Sequence, residues 1–195
     1  MVLALFCLIG QSKGSECVNI FQPYEDVTDC ARALDNRRLI KQILECKQIY
    51  DSGIQKRGYS NHPVTQHFKL YPFYVVRYAL ACCYEYYQRF GKKHSYEDFF
   101  INEFDELLHN ATDADFKTPF FYAQYSISNP MCIRTTENVP ELFQKKLIDK
   151  WSHDRRPPRW TKRDAPDFWI QSDYFQALCQ LESSSIVDDA MQSKL

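Results

Sequence analysis

The sequence predicts an all-α protein: a compact single-domain helical fold with a central aromatic-rich helix and an extended C-terminal strap. Three observations carry that expectation. Only 5 glycines occur in 195 residues, few for the many turns of a β-sandwich. The long segments repeat their apolar residues at the helical period and not every second residue. Hydrophobic content of 45%, with aromatics at 15%, is too rich for a disordered chain and enough for one buried core. A net charge of −1 excludes a global basic field, so any nucleic-acid contact has to rest on a local patch.

The chain divides into residues 1–17, a domain over 18–175 and a flexible tail over 176–195. Residues 1–17 open with an apolar run too short to span a bilayer, then turn polar. Two expectations stand side by side: a signal-like segment, or an extension upstream of a true start near Val18. Asn110-Ala111-Thr112 is a glycosylation sequon only if the chain is secreted. Val18 to Phe21 is short and apolar, and Gln22-Pro23-Tyr24 reads as an extended or turn segment. Asp26 or Thr28 caps a short helix through about Leu34.

The next helix begins near Asp35 and ends about Asp51 to Gly53. Stepped at about 100° per residue, it gathers Leu39, Ile43, Cys46 and Tyr50 on one side, extended by Ile40 and Leu44. Arg38, Lys41, Gln42, Glu45 and Gln48 fall on the other. Spacing alone makes this a solvated face with an ordinary i,i+4 Lys41–Glu45 pair. Gly58 to Pro63 is a loop, with Pro63 suited to a first helical turn. Val64 to Phe90 is helical and aromatic, divided at Pro72, and the part from Tyr71 to Tyr87 is apolar nearly all round, as a central core helix must be. Gly91 ends it, and Ser95 caps an amphipathic helix through about Leu108.

Thr112 to Pro140 reads as loop, and Glu141 to Trp151 as a last clear helix with Leu142, Phe143, Leu147, Ile148 and Trp151 inward. A basic, aromatic strap follows, Arg155-Arg156-Pro157-Pro158-Arg159-Trp160-Thr161-Lys162-Arg163, and then Pro166 and Phe168-Trp169. Cations interleaved with tryptophan suit phosphates and stacked bases. They equally suit a strap whose tryptophans plug the core. Beyond Tyr174 the expectation is a frayed tail. The 8 cysteines show no CxxC pair and no zinc spacing, and most read as buried thiols. No metal and no cofactor is expected.

Three groups of segments together resemble one family. The first is Asn19-Ile20-Phe21-Gln22-Pro23-Tyr24 with Leu34-Asp35-Asn36-Arg37-Arg38-Leu39-Ile40-Lys41-Gln42, and Glu45 a turn later. The second is Asn61-His62-Pro63 before the aromatic helix, with Tyr86-Tyr87-Gln88-Arg89-Phe90-Gly91-Lys92-Lys93-His94 at its end. The third is Lys150-Trp151 with Pro158 to Arg163 and Pro166-Asp167-Phe168-Trp169. These resemble the bacterial and viral proteins grouped with pyrimidine-dimer DNA glycosylases of the phage endonuclease V type, over about residues 18–169.

The resemblance implies a compact helical fold and a repair enzyme for damaged pyrimidines in double-stranded DNA, working as an intracellular monomer without a cofactor or a membrane. It also implies abasic-site lyase chemistry, in which an N-terminal amine attacks the sugar C1′ and one glutamate handles protons. The family glutamate falls on Glu45, a family histidine on Arg38, and the residue bearing the amine near Asn19. Because residues precede Asn19, Lys41 is the substitute amine the sequence offers. Phosphate and base contacts fall to Arg37, Arg38, Asn61, His62, Arg155, Arg156, Arg159, Trp160, Lys162 and Arg163. Two other functions stay open: a non-catalytic nucleic-acid-binding module of the same fold, and a secreted, disulfide-containing helical protein.

Overall fold

The computed structural model describes residues 18–55, 58–124, 133–177 and 179–180. It is mostly helical, with a two-stranded sheet. The elements in chain order are α1 (Val27–Ala33), α2 (Asn36–Gln55), α3 (Pro63–Phe68), α4 (Pro72–Phe90), α5 (Glu97–Leu108), β1 (Tyr122–Gln124), β2 (Ile133–Thr135), α6 (Val139–Ser152) and α7 (Asp167–Ile170).

Local chemistry sets most of these boundaries. The Asp26 carboxylate accepts the Thr28 and Asp29 backbone N–H groups and starts α1. Pro63 and Pro72 occupy first turns, where a missing N–H costs nothing. Gly91 closes α4 at φ 66°, a left-handed cap that glycine adopts without strain. Ser95 does not cap α5. The helix starts one residue later, behind Tyr96, whose N–H donates to His94 Nδ1 at 3.2 Å.

Helix α4 is the centre, as its all-round apolar surface requires, and α1, α2 and α5 pack against it. Tyr74 and Tyr78 are fully buried, yet neither hydroxyl is left unsatisfied. Tyr74 accepts from the Gln22 side-chain amide and Tyr78 donates to Phe21 O at 2.6 Å. Cys30, Cys46, Cys82 and Cys83 are buried free thiols, while Cys179 is exposed. Cys7, Cys17 and Cys132 lie outside the described residues.

Three expectations change. Residues 112–140 are not all loop: β1 and β2 pair antiparallel, with Ala123 opposite Arg134. Strands of three residues are too short to announce themselves by alternation. Residues 175–177, just beyond Tyr174, are helical instead of frayed, because Tyr174 and Phe175 pack on Trp169 with ring centroids 5.9 and 5.7 Å away. Ile40 and Leu44, assigned inward, are 44% and 40% exposed. The buried arc of α2 instead turns toward Gln42 and Glu45, because residues 18–22 lie across that side of the helix.

Candidate active site

Gln42 explains how the face that periodicity marks as solvated becomes buried. Its side-chain oxygen accepts the Phe21 N–H at 3.1 Å, and its amide nitrogen donates to Asn19 O at 2.9 Å. One amide therefore fastens an extended backbone segment along α2. That segment covers Glu45, which keeps only 4% of its surface. The Asn19 backbone N–H points at the Glu45 carboxylate and hydrogen-bonds to it.

Burial pushes the Glu45 carboxyl up to about 7, against the opposing pull of Lys41, the Asn19 N–H and Lys150. Lys41 Nζ lies 3.6 Å from Glu45 Oε1, with 40% of its side chain exposed. The carboxyl thus has an ammonium beside it and is still half-protonated near neutral pH. Such a group can donate a proton, or receive one, at the pH where a cell operates.

Helix α6 adds a second lysine charge, Lys150. Asp154, just beyond it, accepts Arg37 and Arg38 at 2.8 Å each, and Arg38 also bonds Asp35 at 3.0 Å. Asp35 is itself buried and accepts the Trp151 indole N–H at 2.9 Å. This cluster locks the end of α6 to the first turn of α2, and Lys150 then faces Arg38 and Glu45. Burial and the Arg38 charge lower the Lys150 amine below the ordinary lysine range, with Glu45, Asp154 and Asp149 opposing. One turn earlier on α6, Lys146 lies over the rings of Tyr122, Phe143 and Phe21 at 5.1 to 5.9 Å. The charges of Arg134 and Lys146 thus act on His62, and those of Lys41 and Lys150 on Glu45.

The residues picked out by sequence divide into three groups. Glu45, Lys41 and Asn19 come together. Arg38 is nearly enclosed by Asp35 and Asp154, and Arg37 is half exposed, held by Asp154 and Arg156 O. Asn61 is exposed, while His62 Nδ1 accepts the Val64 N–H and caps α3. Burial, with Arg134 and Lys146, lowers His62 to about 4, so its ring is neutral at pH 7.

The strap divides between the two roles open to it. Trp160 packs edge-on against Trp151, 5.1 Å between centroids, and donates to Ala33 O. Arg159 O accepts the Asn36 N–H, and Thr161 exchanges two bonds with the Asn36 side chain, so the strap caps α2. Arg163 chelates Glu85. The side chains of Arg155, Arg156, Arg159 and Lys162 stay exposed. They lie at the start of α2, nine residues from Glu45, or roughly 13 Å along the helix at 1.5 Å per residue.

Sequence reasoning missed Gln42, Lys146 and Lys150. Lys150 stands in one of the motifs that carry the resemblance, but its nearness to Glu45 depends on how two helices distant in sequence pack. Among the described residues no group of three His, Cys, Asp or Glu side chains is placed to hold a metal, and no helix is long and apolar enough to cross a membrane.

Fold and site together define a helical domain that buries a raised carboxyl, Glu45, within reach of the Lys41 and Lys150 charges, with an exposed basic strap at the start of the same helix. Residues 18–98 match the model of a family described as pyrimidine dimer DNA glycosylase, which supports the resemblance carried by the motifs. At the level of the family, the match supports a pyrimidine-dimer DNA glycosylase type of function. The matched span holds α1 to α4 and Glu45, whereas α6 and the strap lie beyond it. No curated protein and no solved structure matches the chain.

Proposed function

We propose that this protein is a DNA glycosylase that removes damaged pyrimidines from double-stranded DNA in the cell, with Glu45 as its acid–base group. The carrying observation is the buried Glu45 carboxyl, raised to about 7 although Lys41 lies 3.6 Å away and the Lys150 charge also acts on it. A protonated carboxyl can assist departure of the base. Its carboxylate form then stabilises the cationic sugar in a site shielded from water. Arg155, Arg156, Arg159 and Lys162 supply phosphate contacts, and the partly exposed Arg37 and exposed Asn61 add to them. The lesion must leave the stack to reach an enclosed acid, which the strap contacts can support by holding bent DNA.

A second reading rests on a separate observation. The Asn19 nitrogen is a peptide nitrogen engaged with Glu45, so it is no nucleophile. A protein of this fold that has neither a reactive amine nor a glutamate able to direct water at the sugar would bind DNA and leave the base in place. Abasic sites formed in ultraviolet-irradiated plasmid, read as nicking when those sites are cleaved, decide between them. The expected outcome is abasic-site formation by the wild type and a loss of about 100-fold or more in Glu45→Gln. Retained DNA binding with no abasic sites formed by the wild type would establish the binding module instead.

A further inference from the structure

We infer that Gln42 is a positioning residue for Glu45: by pinning the backbone of residues 19–21 along α2 with both ends of its amide, it keeps water from that carboxyl. This rests on the glycosylase reading above for the reaction that the acid serves. Its own support is a set of hydrogen bonds.

Gln42 is 1% exposed, and both ends of its amide go to one stretch of backbone. Oε1 accepts the Phe21 N–H at 3.1 Å, and Nε2 donates to Asn19 O at 2.9 Å, with Cys46 Sγ 3.7 Å from the same nitrogen. A carboxylate in its place could not donate to Asn19 O, and an aliphatic side chain could do neither. Gln42 precedes Glu45 by three residues, so the two side chains are neighbours on the helix surface. The residue it holds is also the one that reaches the acid. Asn19 gives its carbonyl to Gln42 and its N–H to Glu45.

The segment has a second set of anchors, and these bind it to the core. Tyr78 donates to Phe21 O at 2.6 Å. The Gln22 side chain accepts the Phe121 N–H at 3.0 Å and donates to the Tyr74 hydroxyl at 2.9 Å. Residues 21 and 22 are thereby tied to α4 and to the chain entering β1, whatever occupies position 42. Gln42 works at the other end, where the segment meets Glu45. Its loss frees the cover over the acid and leaves the attachment to the core in place.

Water is what the cover excludes. Burial is the largest influence on Glu45, which is 4% exposed and titrates at about 7. The groups that oppose it are Lys41 from α2, Lys150 from α6 and the Asn19 N–H, and the adjoining Cys46 thiol is buried. Lifting residues 19–21 removes the burial and the Asn19 bond together. The first change lowers the midpoint, the second raises it, and the first is the larger. The carboxyl then titrates closer to the ordinary 4.5 of a glutamate and is mostly ionised at pH 7, with no proton left to give.

The test compares the full-length wild type with Gln42→Leu, which keeps the side-chain bulk and removes both hydrogen bonds. Carbon NMR of the glutamate carboxyls, with Glu45→Gln to identify the signal, reads the Glu45 midpoint without any DNA. The midpoint is expected to fall by about one pH unit or more in Gln42→Leu. Abasic-site formation in irradiated plasmid should fall about fivefold at pH 7, in step with the protonated fraction, and recover as the pH is lowered. A folded Gln42→Leu that titrates like the wild type overturns the inference. So does lost stability with an unmoved pH profile, since a purely structural role would give that. Should Gln42→Leu fail to fold, amide exchange in the wild type decides: the Phe21 N–H must be protected, and rapid exchange overturns the inference. A shifted midpoint in a protein that forms no abasic sites sinks the glycosylase reading only. Abasic sites formed with an unshifted midpoint sink this inference only.

Discussion

Glu45 and Glu85 are the same residue type at nearly the same depth, 4% and 1% exposed, and they are built for opposite purposes. Glu85 is met by two guanidiniums. Arg89 Nε bonds its Oε1 at 2.8 Å, and Arg163 approaches both oxygens at 3.0 and 3.2 Å. Arg89 carries the load further, donating to Leu34 O, Arg32 O and the Asn36 side chain at the α1–α2 corner. That cluster is complete, and its product is a fixed corner. Glu45 has instead one lysine at 3.6 Å, one backbone N–H and a second lysine whose own amine is lowered. Planar, bidentate guanidinium pairs satisfy a buried carboxylate, and lysines at longer range do not. The comparison teaches that two carboxyls at equal depth can be paired to different degrees, and the proposed chemistry falls on Glu45, the one that lysines and not guanidiniums face.

Removing each carboxyl should therefore move stability in opposite directions. Glu85→Ala leaves Arg89 buried without its counter-ion, an error that costs about 3–5 kcal/mol. Urea unfolding should show a lower midpoint at unchanged slope, and a loss below about 1 kcal/mol would dissolve the distinction. Glu45→Gln should do the reverse. The folded-state carboxyl is raised from 4.5 to about 7, so the unfolded chain ionises first as pH climbs. Wild-type stability then falls across that window at about 1.4 kcal/mol per pH unit and is flat above it. Glutamine does not titrate. It should match the wild type near pH 4.5 and exceed it by about 3 kcal/mol at pH 8, even as base release is lost. Thermal melts at the two pH values read this directly, and a pH-independent difference would show that Glu45 is no less satisfied than Glu85.

The sequence made one of these two clusters easier to see than the other. The helices were legible because their signals are local: Pro63 and Pro72 in first turns, Gly91 at a left-handed cap, Asp26 before α1, an apolar surface all round α4. Glu85 and Arg89 are one helical turn apart, so half of that cluster is written at i,i+4, although spacing alone does not reveal that it is buried. Glu45 was picked out through resemblance, whereas periodicity assigned it to a solvated face. Periodicity counts a helix's own residues and knows nothing of what covers them. Here the cover is residues 18–22, fastened by Gln42, and its effect was to bury two polar side chains while exposing Ile40 and Leu44. Lys150 escaped for the same reason. Arg38 and Glu45, the α2 charges that act on it, lie more than a hundred residues away, and the Asp154 and Trp151 bonds to the start of α2 bring the two helices together.

The same distinction between paired and unpaired charge recurs, at smaller scale, inside the strap. Arg163 and Arg159 are both cations of one basic run, and composition treats them alike. Arg163 is committed to Glu85, with 34% of its side chain exposed, so Arg163→Ala should cost about 1 kcal/mol or less of stability. Because its guanidinium is engaged inside the protein, that change should leave the salt dependence of DNA binding unaltered. Arg159 contributes its backbone carbonyl to the fold, capping Asn36, and its side chain remains exposed. Arg159→Gln should accordingly leave the melting temperature where it is. If Arg159 meets one phosphate, it should reduce the slope of log K against log salt by about 0.9. Binding isotherms at several salt concentrations for the two variants separate the roles. A reduced slope in Arg163→Ala with none in Arg159→Gln would reverse the assignment and place the DNA on the Glu85 side of the strap.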